Sequence, residues 1–377
     1  LNTGGSAFVA PFGSSTTCTA SYLIGAGENT NDLTVNNGGI SLTGGTLMDA
    51  AGNTVDLTTP ASNLAVNNDI VIDTTVPTIG SIYGTNGTFG NGQTVNFTVE
   101  FSEPVTLAGG TIQLGMDSGG TAIVSTCANS TTATASYTVG PGQNSPDLTV
   151  NIGTITLSAG TLTDAAGNGT DLTVPPSNLG VMSDIVIDTA APSLASISSS
   201  MMGSYGLGST IFMDVNFTEP VTLAGTLELT LDTGDVVSVT GSYPTTMLSG
   251  SFTVGAGDNS PDLTVSSINL TGTLRDAALN DADTAIETGE NLAENAGIVI
   301  DTTAPTISSI TSSTANGWYN NMSSVDITVN MSEPVTLAGA CNVQLDTGAI
   351  VSVSSAVYPA TVLNGTYAIG AGENSSD

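Results

Sequence analysis

The sequence predicts an all-β chain of tandem immunoglobulin-like β-sandwich repeats, each about 115 residues long and set end to end as a rod. Three observations predict it. Short motifs recur in one order at one period, segments of alternating polarity fall between turn residues, and consecutive repeats are joined by a short connection ending in proline.

The repeat is the strongest of the three. Ile-Val-Ile-Asp-Thr occurs at 70–74, 185–189 and 298–302, and Pro77, Pro192 and Pro305 follow at spacings of 115 and 113 residues. Glu-Pro-Val begins at Glu103, Glu219 and Glu333. Asp-Leu begins at Asp32, Asp147 and Asp262, with Asp377 as a fourth Asp in step. Asp-Ala-Ala-(Gly/Leu)-Asn begins at Asp49, Asp164 and Asp276. These landmarks divide the chain into 1–73, 74–188, 189–301 and 302–377. The two middle stretches are expected to be complete units. Leu1-Asn2-Thr3-Gly4 matches Leu345-Asp346-Thr347-Gly348, so 1–73 reads as the C-terminal part of a unit and 302–377 as the N-terminal part of another. A sandwich lacking strands is not expected to fold alone.

Within 74–188 the strands follow in order. A first is expected over Pro77–Tyr83. In the second, Val95, Phe97, Val99 and Phe101 alternate with Asn96, Thr98 and Glu100, the period of a half-buried strand. The same face returns as Ile211, Met213, Val215 and Phe217, and as Ile327, Val329 and Met331. Ile112 and Leu114 mark a third strand, Ala122–Ser125 a fourth, and Ala133, Ala135, Tyr137 and Val139 a fifth. Leu148–Leu157 gives a sixth and Leu179–Ile187 a seventh. Seven strands separated by turns read as an immunoglobulin-like sandwich. The proline of each linker favours an extended connection, hence the rod.

Charge restricts function. The chain has 33 Asp plus Glu, one basic residue (Arg275) and no His. Nucleic acid, whose phosphates require Lys and Arg, is excluded as a partner, and so is an anionic membrane surface. No apolar run is long enough to insert into a membrane. Catalysis is not expected, because no nucleophile–His arrangement exists and the acids recur in every unit. Cys18, Cys127 and Cys341 match no disulfide or zinc spacing and read as isolated thiols. Trp318, beside Tyr319, reads as a packing residue. Asn86, Asn216 and Asn364 head sequons permissive for glycosylation.

Acids at this density call for a cation that the chain cannot supply, and hard oxygen ligands select Ca²⁺. The topology is expected to bring them together at the repeat junctions. The turn after the second strand holds Glu103, and the turn before the seventh holds Asp164, Asn168 and Asp171, all beside linker Asp73. Asp117, Asp147 and Asp188 are expected at the other pole, facing Glu219, Asp276, Asn280 and Asp283 of the next unit. The first junction also gains Glu28 and Asp32, and the third joins Asp232, Asp258, Asp262 and Asp301 to Glu333. The linker aspartates and the Glu-Pro-Val glutamates are the leading candidates. Extracellular modules hold Ca²⁺ at about 10⁻⁴–10⁻³ M. As solvated turn residues, the same Asp and Asn side chains need no ion.

The series Phe-Ser-Glu-Pro-Val, Asp-Leu-Thr-Val, Asp-Ala-Ala-Gly-Asn and Ile-Val-Ile-Asp-Thr-Thr-Ala-Pro resembles the immunoglobulin-like repeats of large bacterial cell-surface adhesins. Those are functionally similar to cadherin repeats, in which interdomain calcium stiffens a chain. The resemblance implies a secreted or cell-surface protein that extends or links. Its partners would be other repeats or copies of itself, with any cell-surface or matrix ligand bound outside this stretch. The alternative is a subunit of a self-assembling extracellular filament joined by β-strand complementation. Two departures bear on calcium. Gln143 stands where Glu28, Asp258 and Glu373 occur, and Leu279 replaces Gly52 and Gly167, so the second junction is expected to bind calcium differently.

Overall fold

The computed structural model describes residues 1–376; Asp377, the fourth Asp of the Asp-Leu series, lies outside the described residues. In 1–73 regular structure is sparse. β1 (Phe8–Val9) pairs with β2 (Ala20–Ser21), and α1 (Leu64–Asn67) is one helical turn. Leu33 and Ile72 are buried there, while Phe8, Leu23 and Ile40 are exposed, because no second sheet covers this stretch.

The stretch 74–188 is a sandwich. It comprises β3 (Ile79–Gly84), β4 (Gly87–Phe89), β5 (Thr94–Ala108), β6 (Ile112–Met116), β7 (Thr121–Val124), β8 (Ser130–Thr138), β9 (Val150–Leu157), β10 (Thr161–Thr163), α2 (Leu179–Met182) and β11 (Ile185–Ile187). β5 lies between β3 and β8, and β6 lies between β7 and β9, all antiparallel. β4 pairs parallel with β11. The alternating set Val95, Phe97, Val99 and Phe101 is buried against Leu114, Tyr137, Leu148 and Ile187 in one core. Burial of each such side chain contributes about 1.5–3 kcal/mol against the cost of ordering the chain.

The next stretch repeats the plan with its own core. Its elements are β12 (Leu194–Ser198), β13 (Gly203–Tyr205), β14 (Thr210–Leu231), β15 (Val236–Val239), β16 (Thr245–Thr253), β17 (Asn259–Ser260), β18 (Val265–Arg275), α3 (Leu292–Asn295) and β19 (Ile298–Asp301). The last stretch holds β20 (Ile307–Thr311), β21 (Ser324–Val335), β22 (Cys341–Gln344), β23 (Ile350–Val353) and β24 (Ala360–Ala368), around a smaller core that includes Val329, Val353 and Leu363. The chain is therefore all-β, a tandem array of immunoglobulin-like sandwiches. Among the described residues no helix is long and apolar enough to cross a membrane.

Three expectations need correction. The Phe-Ser-Glu-Pro segment is not a turn but a kink within a strand that changes sheets. β14 pairs with β12 up to Phe217 and with β16 up to Asn216 and again at Val221, then with β18 from Thr222 and with β15 from Leu227. The pairing register shifts between Asn216 and Val221, as it does between Glu100 and Val105 and between Asn330 and Val335. Proline has no N–H to give the ladder, so the strand bends there and turns its glutamate out of the sheet.

The expected seventh strand, Leu179–Ile187, is instead the helical turn α2 followed by the short β11. Asn178 caps α2, accepting from Leu179 N at 2.7 Å while its amide donates to Val150 O at 2.8 Å. Asn63 and Asn291 do the same in their units. Behind a good N-cap this hydrophobic run forms one helical turn, too short for its period to differ from that of a strand. Trp318, expected to pack, is fully exposed. The three cysteines are free thiols.

Candidate metal centres at the repeat junctions

Each centre is assembled by strand register. Thr163 of β10 lies opposite Thr106 of β5, so Asp164 at the end of β10 arrives beside the kink that projects Glu103. Asp73 comes in from the preceding stretch. One carboxylate oxygen from each of Asp73, Glu103 and Asp164 lies within 4.8 Å of the others. The same holds for Asp188, Glu219 and Asp276, where Arg275 of β18 sits opposite Thr222. Asp164 and Asp276 are the buried members, at 8% and 7% exposure.

The Asp-Ala-Ala-x-Asn loop locks the buried aspartate. Asn168 donates its backbone N–H to Asp164 Oδ1 at 2.9 Å and its side-chain amide to Asp164 Oδ2 at 2.7 Å. That amide also reaches the linker carbonyl of Asp73 at 3.1 Å. Asn280 repeats the set on Asp276 and adds bonds to the carbonyls of Asp188 and Ala190, at 3.1 and 2.9 Å. Both asparagines thus turn N–H groups toward the cluster and orient its aspartate. Gly167 takes φ +92° in this loop, and Leu279 holds the same left-handed conformation at φ +71°, which disfavours a side chain by about 1–2 kcal/mol.

The linker itself is pinned. Asp73 Oδ1 accepts from Thr75 N at 2.9 Å, and Asp188 and Asp301 make the equivalent bonds to Ala190 and Thr303. Asn29 Oδ1 accepts from Thr74 N at 2.7 Å, Asn144 from Thr189 N at 2.7 Å, and Asn259 from Thr302 N at 3.0 Å. Sequence reading did not single out Asn29 or Asn259. Their signal is an Asn at near-constant spacing before each linker threonine. A shallow cleft at the first junction is lined by Val71 and Ile72 together with oxygen-bearing groups from both sides of the linker, Asp73, Thr75, Ser102 and Glu103 and the turn Asn29-Thr30-Asn31.

Electrostatics separates the acids. Burial, then Asp73 and Asp164, pushes the Glu103 carboxyl above its ordinary value; burial, then Asp188 and Asp276, does so for Glu219. At the third linker burial and then Asp301 raise Glu333, whose buried Oε1 has no hydrogen-bond partner. Burial acts upward on Asp164 too, but the Asn168 and loop N–H donors outweigh it and hold that carboxyl below the usual range. Cations are scarce: Arg275 is engaged by Asp281, Nε to Oδ1 at 2.6 Å.

Other candidates fall outside these clusters. Asp32, Asp147 and Asp262 are in neither three-carboxylate group. Asp147 and Asp262 donate their backbone N–H groups to the hydroxyls of Ser145 and Ser260, and a Cβ on Gly180 of α2 would stand 3.5 Å from Asp147 Oδ2. Asp32 Oδ1 is buried without a partner. Asp117 accepts from Ser145 at 2.8 Å and Thr149 N at 3.0 Å, and Asp232 makes the matching bonds to Ser260 and Thr264. Asp171 is satisfied by Thr173 and Asp283 by Ala285.

The Gln143 position has a different purpose from the one its acidic counterparts imply. Gln143 Oε1 accepts from the Tyr137 hydroxyl at 2.6 Å and from Gly140 N at 2.7 Å. Glu28 does this with Tyr22 and Gly25, and Glu373 with Tyr367 and Gly370. Where the tyrosine is Phe252, the shorter Asp258 closes the loop on Gly255 alone. In the Gln143, Glu28 and Glu373 loops a side-chain oxygen accepts both bonds, whether it belongs to an amide or a carboxylate.

The donors fit a hard divalent cation. Each complete cluster offers three carboxylates and no thiol or imidazole, and Ca²⁺ takes six to eight oxygens in flexible geometry. Asp73, Glu103 and Asp164 would hold it at the first junction, and Asp188, Glu219 and Asp276 at the second.

No family model matches the sequence, and no curated protein is similar to it. Among solved structures the chain is similar to the I9–I11 tandem of titin, with TM-score 0.27 and 8% identity over 78% of this chain and 90% of that one. A chimeric titin Z1Z2 carrying a KLER peptide from decorin gives TM-score 0.20 and 13% identity over 57% and 100%. A marsupial T cell receptor gives 0.22 and 9% over 77% and 93%. The fold itself is defined by the strand pairings given above.

Proposed function

We propose that the chain is a structural spacer of an extracellular, cell-surface adhesin or stalk. Its sandwiches stand end to end, and Ca²⁺ held at the junctions stiffens them. The observation that carries this reading is the recurrence, at consecutive linkers, of three carboxylates within 4.8 Å of one another in a chain with one basic residue. Each cluster takes one acid from the linker, one from the strand kink and one from the loop after β10 or β18. An ion there ties the end of one unit to the body of the next. Recurrence also argues for a mechanical rather than a catalytic role, since an active site is normally singular.

Small-angle scattering tests stiffness. With calcium the intact chain is expected to behave as a more extended, less flexible particle than in chelator. Superimposable profiles under the two conditions would refute calcium stiffening.

A further inference from the structure

The junction between the second and third stretches carries a direct contact that involves no carboxylate. The loop after β4, Gly90-Asn91-Gly92-Gln93, reaches across to the Asp-Ala-Ala-Leu-Asn loop of the following sandwich. Gln93 Nε2 donates to Ala278 O at 3.0 Å, a bond between residues 185 positions apart. Gly90 is buried, and a Cβ built there would stand 2.5 Å from the same Ala278 carbonyl, so only glycine permits this approach. Ala278 is 1% exposed where the loop lies against it. The loop is anchored in its own unit, because the neighbouring Phe89 O accepts from Asp188 N at 3.0 Å. From the other side Asn280 grips Asp188 O and Ala190 O.

We infer that the Gly90–Gln93 loop is a docking element for the Asp-Ala-Ala-Leu-Asn loop of the next sandwich, and that it fixes this joint without a cation. Gln93 is the residue that makes the contact directional. Its counterparts, Ser209 and Ser323, are two atoms shorter in reach and cannot span the same gap. The backbone of the receiving loop is held in an unusual state, with Leu279 at φ +71° next to the accepting carbonyl. At this joint protein contacts close the connection, and the carboxylate cluster contributes on top of them.

The test uses the full chain with Cys18→Ser, Cys127→Ala and Cys341→Ser, and spin labels at Thr121→Cys and Ser238→Cys, one in each sandwich. Distances are measured by pulsed electron resonance in chelator and in calcium. The unmodified joint is expected to give one narrow distance in both. Gln93→Glu keeps the size of the side chain but loses the N–H donor, and Gln93→Ala removes both. Gln93→Ala is expected to lower the closed-to-open ratio in chelator about fivefold, the effect of one neutral hydrogen bond, and Gln93→Glu, which sets a carboxylate against the Ala278 carbonyl, by more than that. A broad distribution in chelator for the unmodified joint would overturn the inference, as would variants that match it. If calcium changes none of these distances while the variants still open the joint, the stiffening role at this joint fails and the docking contact stands.

Discussion

Glu219→Gln is expected to shift stability in opposite directions with and without calcium. Glu219 is raised above the ordinary 4.5 of a glutamate by burial and by Asp188 and Asp276. A carboxyl that holds its proton more tightly when folded contributes its full stability below the unfolded value. That contribution is lost as pH rises through the folded value. At neutral pH without a cation, ionised Glu219 therefore opposes folding, and glutamine removes the opposition. The variant should melt higher than the parent in chelator at neutral pH, and the two should converge as pH falls below the ordinary glutamate range. In calcium the order reverses. A ligand at ~100 times its Kd stabilises by about 2.7 kcal/mol, which the parent gains and the variant largely forgoes. Calorimetric melts across pH, with and without calcium, read both effects. A variant shifted in the same direction under both conditions would contradict the cation assignment.

Asp276→Ala is expected to destabilise the 189–301 sandwich whether or not calcium is present. The carboxylate is 7% exposed and accepts two bonds from Asn280, at 2.9 and 2.8 Å, which set the loop and hold the amide on the linker carbonyls. Its loss leaves buried donors unpaired and frees the linker. Bonds to charged groups contribute about 1.5–3 kcal/mol each, so a loss on the order of 3 kcal/mol is expected in denaturant titrations. Asp276→Asn keeps the shape and one acceptor, and should recover part of the chelator stability without restoring the calcium response. Unchanged stability of Asp276→Ala in chelator would show that the loop does not depend on this carboxylate.

The contrast between these two acids marks how far the sequence could be read. Period-two strands such as Val95–Phe101 were legible because burial of alternate residues is a local consequence of strand geometry. The convergence of Asp73, Glu103 and Asp164 was legible from the repeat order and the direction of the strands. The kink was not: Glu-Pro reads as a turn, and only the pairing shows one strand serving two sheets. The capped helical turn at Leu179 was missed because four residues carry too little periodicity to outweigh the hydrophobic run around it. Division of labour was equally hidden. Asn168 and Asn280 turn amide donors toward the aspartates, Gln143 and Glu28 close loops beneath a tyrosine, and Gln93 crosses a junction. Each depends on a partner far away in sequence that no local pattern specifies.

Calcium titration calorimetry on the intact chain, beside a Glu103→Gln, Glu219→Gln, Glu333→Gln variant, tests the central claim most directly. The parent should bind calcium with Kd of about 10⁻⁴–10⁻³ M, and the variant should lose most of that heat while remaining folded. Equal binding by the two chains would contradict the assignment of calcium to the repeat junctions.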